Sequence, residues 1–272
     1  MMAARVDDAG FAALTAKIAR ERAFGCASYK EKCLRRRIAV RMRARGVHRF
    51  EDYAALLDRD AVEYERLIDT LTINVTKLFR NWATFDAIAR TVIPILWEGA
   101  ARPIRGWSAG CSSGEEPYSL AVLFHRHAMM RGEPVDASRV QVLGSDIDRA
   151  SLDAARLGQY AEAAFADTPP DIRRRYFSSR PPFEVVPEIR PLVSFERRDL
   201  IVDALPRGLH LIACRNVLIY FDRSTQEHLF QRFHDALAPG GFLVLGKVET
   251  LLGPTRPLFS AVDARERIFR RR

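Results

Sequence analysis

The stretch WSAGCSSGEEPYS, residues 107–119, runs from an apolar segment through a turn of small residues into two acids, Glu115 and Glu116. A short strand over 105–109, a tight turn over 110–114 and a helix from 115, with Pro117 in its first turn, form an arrangement in which helix N-terminal amides face a ligand. Such turns usually cradle phosphate, and two acids at the mouth would repel one. GSDID, residues 144–148, ends the next strand, one βα unit further on. Asp148 suits the N-cap of the helix RASLDAARLG, while Asp146 faces the crevice, where an acid can accept both hydroxyls of a ribose. A ribose without a phosphate clamp points to a nucleoside cofactor. S-adenosylmethionine fits, because it carries an ammonium and a sulfonium but no phosphate. Acids in a first helical turn also complement the helix dipole. That suffices for Glu115, and leaves Glu116 as the acid of the site.

The elements that must position these residues fall into two halves. Up to about residue 100, apolar residues recur at helical spacing, as in Phe11, Leu14 and Ile18 and again in Tyr53, Leu56 and Leu57. From Pro103, short β-type runs alternate with helical segments, a rhythm that predicts an α/β fold: a mostly parallel, Rossmann-like sheet with helices on both faces. The reading divides the chain into a small all-helical N-terminal domain (1–82), a linking helix (83–100) and the α/β domain (101–272). The proline-rich stretch RPPFEVVPEIRPLVSFERRD suits an edge hairpin rather than central strands, so a small β insert is expected over about 178–198.

Five segments, TINVTKLFR (72–80), WSAGCSSGEEPYS, GSDID, CRNVLIYFD (214–222) and GGFLVLGKVE (240–249), resemble in order and spacing the CheR family of chemotaxis-receptor glutamate O-methyltransferases. The resemblance covers about residues 10–270. It implies a class I methyltransferase domain that moves a methyl group from S-adenosylmethionine to glutamate side chains of receptor helices, releasing S-adenosylhomocysteine. Carried over by position, Asn74, Thr76 and Arg80 reach the cofactor, with Arg80 gripping its carboxylate. Glu116 holds the charged end, Asp146 the ribose, and Asp199 with Leu200 the adenine. Arg215 and Asn216 begin the loop after the fourth strand. Tyr220 lies near the transferring methyl, with Arg215 as a further catalytic donor. The local alternatives are an ordinary helix end capped by Thr76, and core packing of Tyr220 beside Phe221. Asp199 replaces the family's usual Asn, adding charge beside the adenine or an acceptor for its exocyclic amine.

No convincing general base is visible. His125 and His127, two apart on a helix, face different ways, and His210, His228 and His234 fall in or beside structural segments. The absence suits the reaction, since a glutamate with a pKa of about 4.3 is already ionised at neutral pH. The four cysteines are dispersed with no CxxC pair, so neither zinc nor disulfides are expected, and no metal cofactor. No apolar run is long enough to span a bilayer, which takes about 20 residues; with no apolar signal core at the N-terminus, a cytoplasmic protein without membrane insertion is expected.

The net charge of +9 is concentrated between Cys26 and Phe50, where nine Lys or Arg face only Glu31. On a helical wheel Lys32, Arg36 and Arg43 share one stripe. Lys30, Arg37, Arg41 and Arg45 share another, beside the apolar row Leu34, Ile38 and Met42. The resemblance implies that this helix meets acidic receptor helices, with Lys30, Arg37, Arg41 and Arg45 as the substrate-contacting row. A nucleic-acid methyltransferase could use the same patch, but no aromatic residues for base stacking interleave with the arginines. A non-enzymatic adaptor of the same fold is the other rival, which the presence of Arg80, Glu116, Asp146 and Tyr220 disfavours. The expected insert lacks the glycine-rich turn with which family members bind a receptor's C-terminal pentapeptide, so pentapeptide-independent recognition is expected.

Overall fold

The structure, a computed structural model, describes residues 2–22, 24–72, 76–99 and 102–272, with side chains from residue 7 onward. It separates into two compact units, 1–73 with 220–225, and 74–219 with 226–272. The division therefore falls some ten residues before the expected linker. The helical stretch read as that linker, α5 (Trp82–Ala87), a π turn (Ile88–Val92) and α6 (Ile93–Gly99), belongs to the second unit. Its apolar residues Phe85, Ile88, Val92 and Leu96 are buried in that unit's core, which the sequence pattern alone does not reveal.

In the first unit are α1 (Met2–Arg22), α2 (Glu31–Ala44), α3 (Phe50–Arg59) and α4 (Ala61–Leu71). The periodic residues Phe11, Leu14, Ile18, Leu34, Ile38, Met42, Tyr53 and Leu57 are all buried. Gly46, at φ +65°, ends α2, and the Asp60 side chain caps α4 by accepting from the Glu63 amide at 2.9 Å.

The second unit is built on a seven-stranded sheet of β1 (Ile104–Ala109), β2 (Val140–Asp146), β5 (Val193–Arg197), β6 (Leu209–Cys214), β7 (Leu237–Leu245), β8 (Phe259–Asp263) and β9 (Ile268–Arg271). The order is β5-β2-β1-β6-β7-β9-β8. The first five strands are parallel, and β9 runs antiparallel between β7 and β8. Alternation along the strands fills both faces. Ile104, Leu211, Ala213, Phe242 and Val244 join the cluster that includes α5, α6 and α7 (Glu115–Arg131). On the other face Trp107 meets Phe233 of α10 (Arg223–Ala236) edge-on at 5.8 Å. The remaining helices are α8 (Arg149–Leu157), after β2, and α9 (Pro170–Tyr176).

The stretch expected as a β insert divides differently. Val193–Arg197 is the edge strand of the main sheet. The small sheet pairs β3 (Gln159–Tyr160) with β4 (Phe183–Glu184), and α9 lies between them in the chain. The insert therefore begins near residue 159 and ends before 193. The prolines misled because they flank β5 without interrupting it. The four cysteines are free thiols, and no described helix is long and apolar enough to cross a membrane.

Candidate cofactor and active site

Parallel strands present their C-terminal ends at one edge of the sheet, and loops to opposite sides diverge there. β1 is flanked by β2, to which the chain passes directly, and by β6, which it reaches only after β5 at the far edge, so the crevice opens beyond Ala109, Asp146 and Cys214.

The turn after β1 is tightly folded. Gly110 has φ +79°, and a β-carbon there would come within 2.5 Å of Val217. The Gly110 and Cys111 amides donate to the Ser145 carbonyl, the Ser112 amide to Asp146 Oδ2 at 2.8 Å, and the Gly114 amide to the Cys111 carbonyl. Four of the turn's five amides, those of Gly110, Cys111, Ser112 and Gly114, are thus engaged within the protein.

The two glutamates have different surroundings. Glu115 is buried, and both its oxygens accept from the Ser113 hydroxyl at 2.9 Å. Burial pushes its carboxyl up to about 7, against the pull of its own amide and of Ser113. Glu116 is half-buried; Oε1 accepts from Ser108 Oγ at 2.8 Å and Oε2 lies 3.3 Å from Arg215 Nη1. Asp146 accepts from the Ser112 amide through one oxygen and the Asp148 amide through the other. Burial raises its carboxyl, partly offset by those amides. Each oxygen retains lone-pair capacity for an outside donor. Asp148 caps α8, its oxygen accepting from the Ala150 amide at 2.9 Å.

Arg215 is almost enclosed, its side chain 2% exposed. Besides Glu116, its Nη2 donates to the Arg80 carbonyl at 2.7 Å and lies 3.4 Å from Asn81 Oδ1, while the guanidinium lies 5.0 Å from the Phe85 ring centre. The geometry thus turns Arg215 into a brace for its neighbours. Asn216 has φ +61°, and its amide donates to Glu249 Oε2 at 3.0 Å. That carboxylate also accepts from the Gly246 amide at 2.6 Å and the Ile219 amide at 3.3 Å. Sequence reading gave Glu249 no role; an acid just past a glycine at a strand end was its only signal. Asp199 Oδ1 accepts from the Ile201 amide at 2.7 Å, and its own amide donates to Asp203. Leu200 is buried, and its carbonyl accepts from Arg232. Thr76 is half-buried. Asn74 lies outside the described residues.

Tyr220 belongs to the first unit. Its carbonyl accepts from the Lys30 amide at 2.8 Å, and the Arg37 guanidinium lies 4.6 Å from its ring centre.

Three members of the expected receptor-contacting row have partners within the first unit. Arg37 is buried and donates to the Leu71 carbonyl. Arg41 forms a two-pronged pair with the fully buried Glu63, at 3.0 and 2.5 Å, and Arg45 pairs with Asp60 at 2.8 Å. Burial alone would raise Glu63, but hydrogen bonds from Arg41 and Tyr53 bring it below the ordinary value. Within that row Arg37 is covered and Arg41 turns toward the buried acid of α4, while Lys30 and Arg45 remain exposed, as do Lys32, Arg36 and Arg43 of the other stripe.

Three histidines make structural contacts: His125 meets the Tyr176 hydroxyl at 3.3 Å, His127 lies against Trp97, and His210 Nδ1 accepts from the Arg105 amide at 2.9 Å. Among the described residues, no group of three or more His, Cys, Asp or Glu could hold a metal ion.

The site's own atoms define what fits it. Ser112 Oγ, Arg215 Nε and Asn216 Oδ1 are buried without a hydrogen-bond partner, and a bare buried polar atom costs about 1–3 kcal/mol. All three stand at the strand ends beside Glu116 and Asp146. Ser112 Oγ and Asn216 Oδ1 can accept from a ligand's hydroxyls or amine, whereas Arg215 Nε can only donate.

Comparison with known proteins decides the class. The family model "CheR methyltransferase, SAM binding domain" matches residues 74–268, and "CheR methyltransferase, all-alpha domain" matches residues 9–72. The chain belongs to the CheR methyltransferase family. As a family member it is an S-adenosylmethionine-dependent methyltransferase. It is 36% identical over 227 residues to a chemotaxis protein methyltransferase of Listeria innocua, covering 83% of this chain and 84% of that one. It is 35% identical over 266 residues to the chemotaxis protein methyltransferase of Klebsiella aerogenes, covering 93% and 87%. A solved TehB-like SAM-dependent methyltransferase from Corynebacterium glutamicum aligns at TM-score 0.37 and 16% identity, over 70% of this chain and 92% of that one.

Proposed function

We propose that this CheR-family chain methylates glutamate side chains on the helices of chemotaxis receptors, in the cytoplasm and without a metal. The observation that carries the reading is the pairing of Glu116 and Asp146 around a turn most of whose amides are already occupied. S-adenosylmethionine supplies an electrophilic methyl on a sulfonium. Glu116 holds its ammonium end and Asp146 its ribose hydroxyls. Arg80 grips its carboxylate through a two-pronged charge-assisted bond, with Asn74 and Thr76 beside it. Leu200 packs on the adenine, and Asp199, whose Oδ1 is engaged by Ile201, offers its other oxygen to the exocyclic amine. Asn216 lines the same crevice. Arg215 acts by positioning Glu116 and the Arg80 backbone.

The receptor glutamate is its own nucleophile. One carboxylate oxygen forms the new C–O bond as the C–S bond breaks, and S-adenosylhomocysteine leaves. No proton moves, which accords with the structural engagement of His125, His127 and His210. What the chain must do is align the reactants and exclude water. Tyr220 donates a hydrogen bond to the receptor carboxylate.

Lys32, Arg36 and Arg43 meet the acidic receptor surface. Recognition does not use a receptor pentapeptide: β3 and β4 pair over only two residues each, which leaves little edge for an added strand. Incubation with labelled S-adenosylmethionine and a receptor helical fragment tests the reading. Label is expected on the fragment, absent when its glutamates are replaced by alanine, and absent from nucleic acid. Label that persists on the glutamate-free fragment would refute it.

A further inference from the structure

Arg80 is flanked by two residues in a conformation that L-residues rarely adopt. Phe79 has φ +52° and Asn81 has φ +60°. Left-handed backbone is unusual for a bulky side chain such as Phe79, whose ring is fully buried. Such a turn persists only where its surroundings over-determine it, and outliers of this kind concentrate at functional sites.

The surroundings do over-determine it, and most of them come from the insert. The Leu78 amide donates to the Ala164 carbonyl at 3.0 Å, and the Thr168 hydroxyl donates to the Leu78 carbonyl at 3.3 Å. The Asn81 amide donates to Asp167 Oδ2 at 2.8 Å, and Lys77 pairs with the same carboxylate at 3.6 Å. From α7, Ser119 Oγ accepts the Phe79 amide at 2.9 Å and donates to the Glu115 carbonyl at 2.6 Å. The insert also reaches the turn after β1, where the Tyr160 hydroxyl donates to the Ser113 carbonyl at 3.1 Å. The residues between β3 and α9 therefore hold both loops that carry the proposed cofactor contacts, the one with Arg80 and the one before Glu116.

We infer that the insert is a working wall of the cofactor site, and that Asp167 is the positioning residue through which it sets Arg80. Asp167 accepts the amide of the left-handed residue that follows Arg80 and fixes the direction in which the Arg80 side chain leaves the backbone. It touches neither the cofactor nor the receptor. The inference rests on the reading that Arg80 grips the cofactor's carboxylate.

The test is calorimetric binding of S-adenosylhomocysteine to the full chain and its variants, which needs no turnover. Arg80→Ala should weaken binding at least tenfold, as expected for loss of a charge-assisted pair (about tenfold or more). Asp167→Ala should weaken it about tenfold, the order of one released left-handed residue. Asp167→Asn keeps an acceptor for the Asn81 amide while removing the charge, and should bind as the wild type does. Adding Asn81→Gly to Asp167→Ala should restore most of the affinity, because glycine reaches φ +60° without strain. Wild-type affinity in Asp167→Ala, with Arg80→Ala impaired, would overturn the inference alone. Wild-type affinity in Arg80→Ala would overturn the reading beneath it and the inference together. Failure of the glycine to restore binding would show that Asp167 does not act through the backbone at residue 81, and would also overturn it.

Discussion

Glu116 and Arg215 meet with 3.3 Å between Oε2 and Nη1, and the same guanidinium holds the carbonyl of Arg80 at 2.7 Å. One enclosed cation thus orients the acid proposed for the cofactor's ammonium and the backbone of the arginine proposed for its carboxylate. The two ends of an amino-acid moiety would be read by groups braced through a common residue.

Glu116→Gln should therefore weaken S-adenosylhomocysteine binding about ten- to a hundredfold, the worth of a hydrogen bond to a charged group (about 1.5–3 kcal/mol). The melting temperature should change little, because Ser108 can still donate to the amide oxygen. Glu115→Gln should change affinity much less. Calorimetry on both variants checks the division, and equal losses would show that the pair has been divided wrongly.

Glu115 carries a pH signature instead. Its carboxyl is raised from an ordinary 4.5 to about 7 in the folded chain, so folding favours the protonated form. That contribution is fully present below about pH 4.5 and is lost as pH rises through about 7. At most about 3 kcal/mol is involved. Glu115→Gln cannot ionise, so it should be more stable than the wild type at pH 8, with the gap closing toward pH 4. Denaturant unfolding at both pH values measures this, and a gap independent of pH would contradict the assignment.

The two basic stripes of α2 should behave oppositely. Reversing the charge of Lys32, Arg36 and Arg43 should raise KM for the receptor and leave cofactor affinity and melting temperature near wild type. Arg41→Ala should destabilise the first unit by about 3–5 kcal/mol, because it strips the main partner from a fully buried carboxylate at Glu63. Steady-state kinetics and thermal unfolding of the two variants separate docking from structure.

Tyr220→Phe should lower kcat about ten- to a hundredfold if the phenol donates to the receptor carboxylate. Calorimetric affinity for S-adenosylhomocysteine should stay unchanged. A loss of affinity in place of a loss of rate would move Tyr220 out of its proposed role.

The sequence made some of this legible and concealed the rest for physical reasons. Glu116 and Asp146 could be placed because strand, tight turn and helix fix where their side chains emerge, and the structure has Glu116 in the first turn of α7 and Asp146 at the end of β2. The basic stripes could be drawn on a wheel, but the wheel does not say that Arg37 and Arg41 are covered. Glu63, on a different helix 22 residues beyond Arg41, decides that. The small sheet was misread because β3 and β4, two residues each and far apart in the chain, leave no periodic pattern, whereas the prolines around β5 suggested a hairpin. The bracing by Arg215 and Asp167 had no sequence signature, and that by Glu249 only an acid just past a glycine, since each acts on backbone groups brought close only by the fold.

The central claim is that the methyl group ends on a carboxylate. The most direct measurement is the alkali lability of the product formed from labelled S-adenosylmethionine and receptor-bearing membranes. A methyl ester gives up its label as volatile methanol under mild base, and this account predicts that release, reduced in Arg80→Ala. Label that stays on the acceptor through the base treatment, as N-methyl or C-methyl groups do, would contradict it.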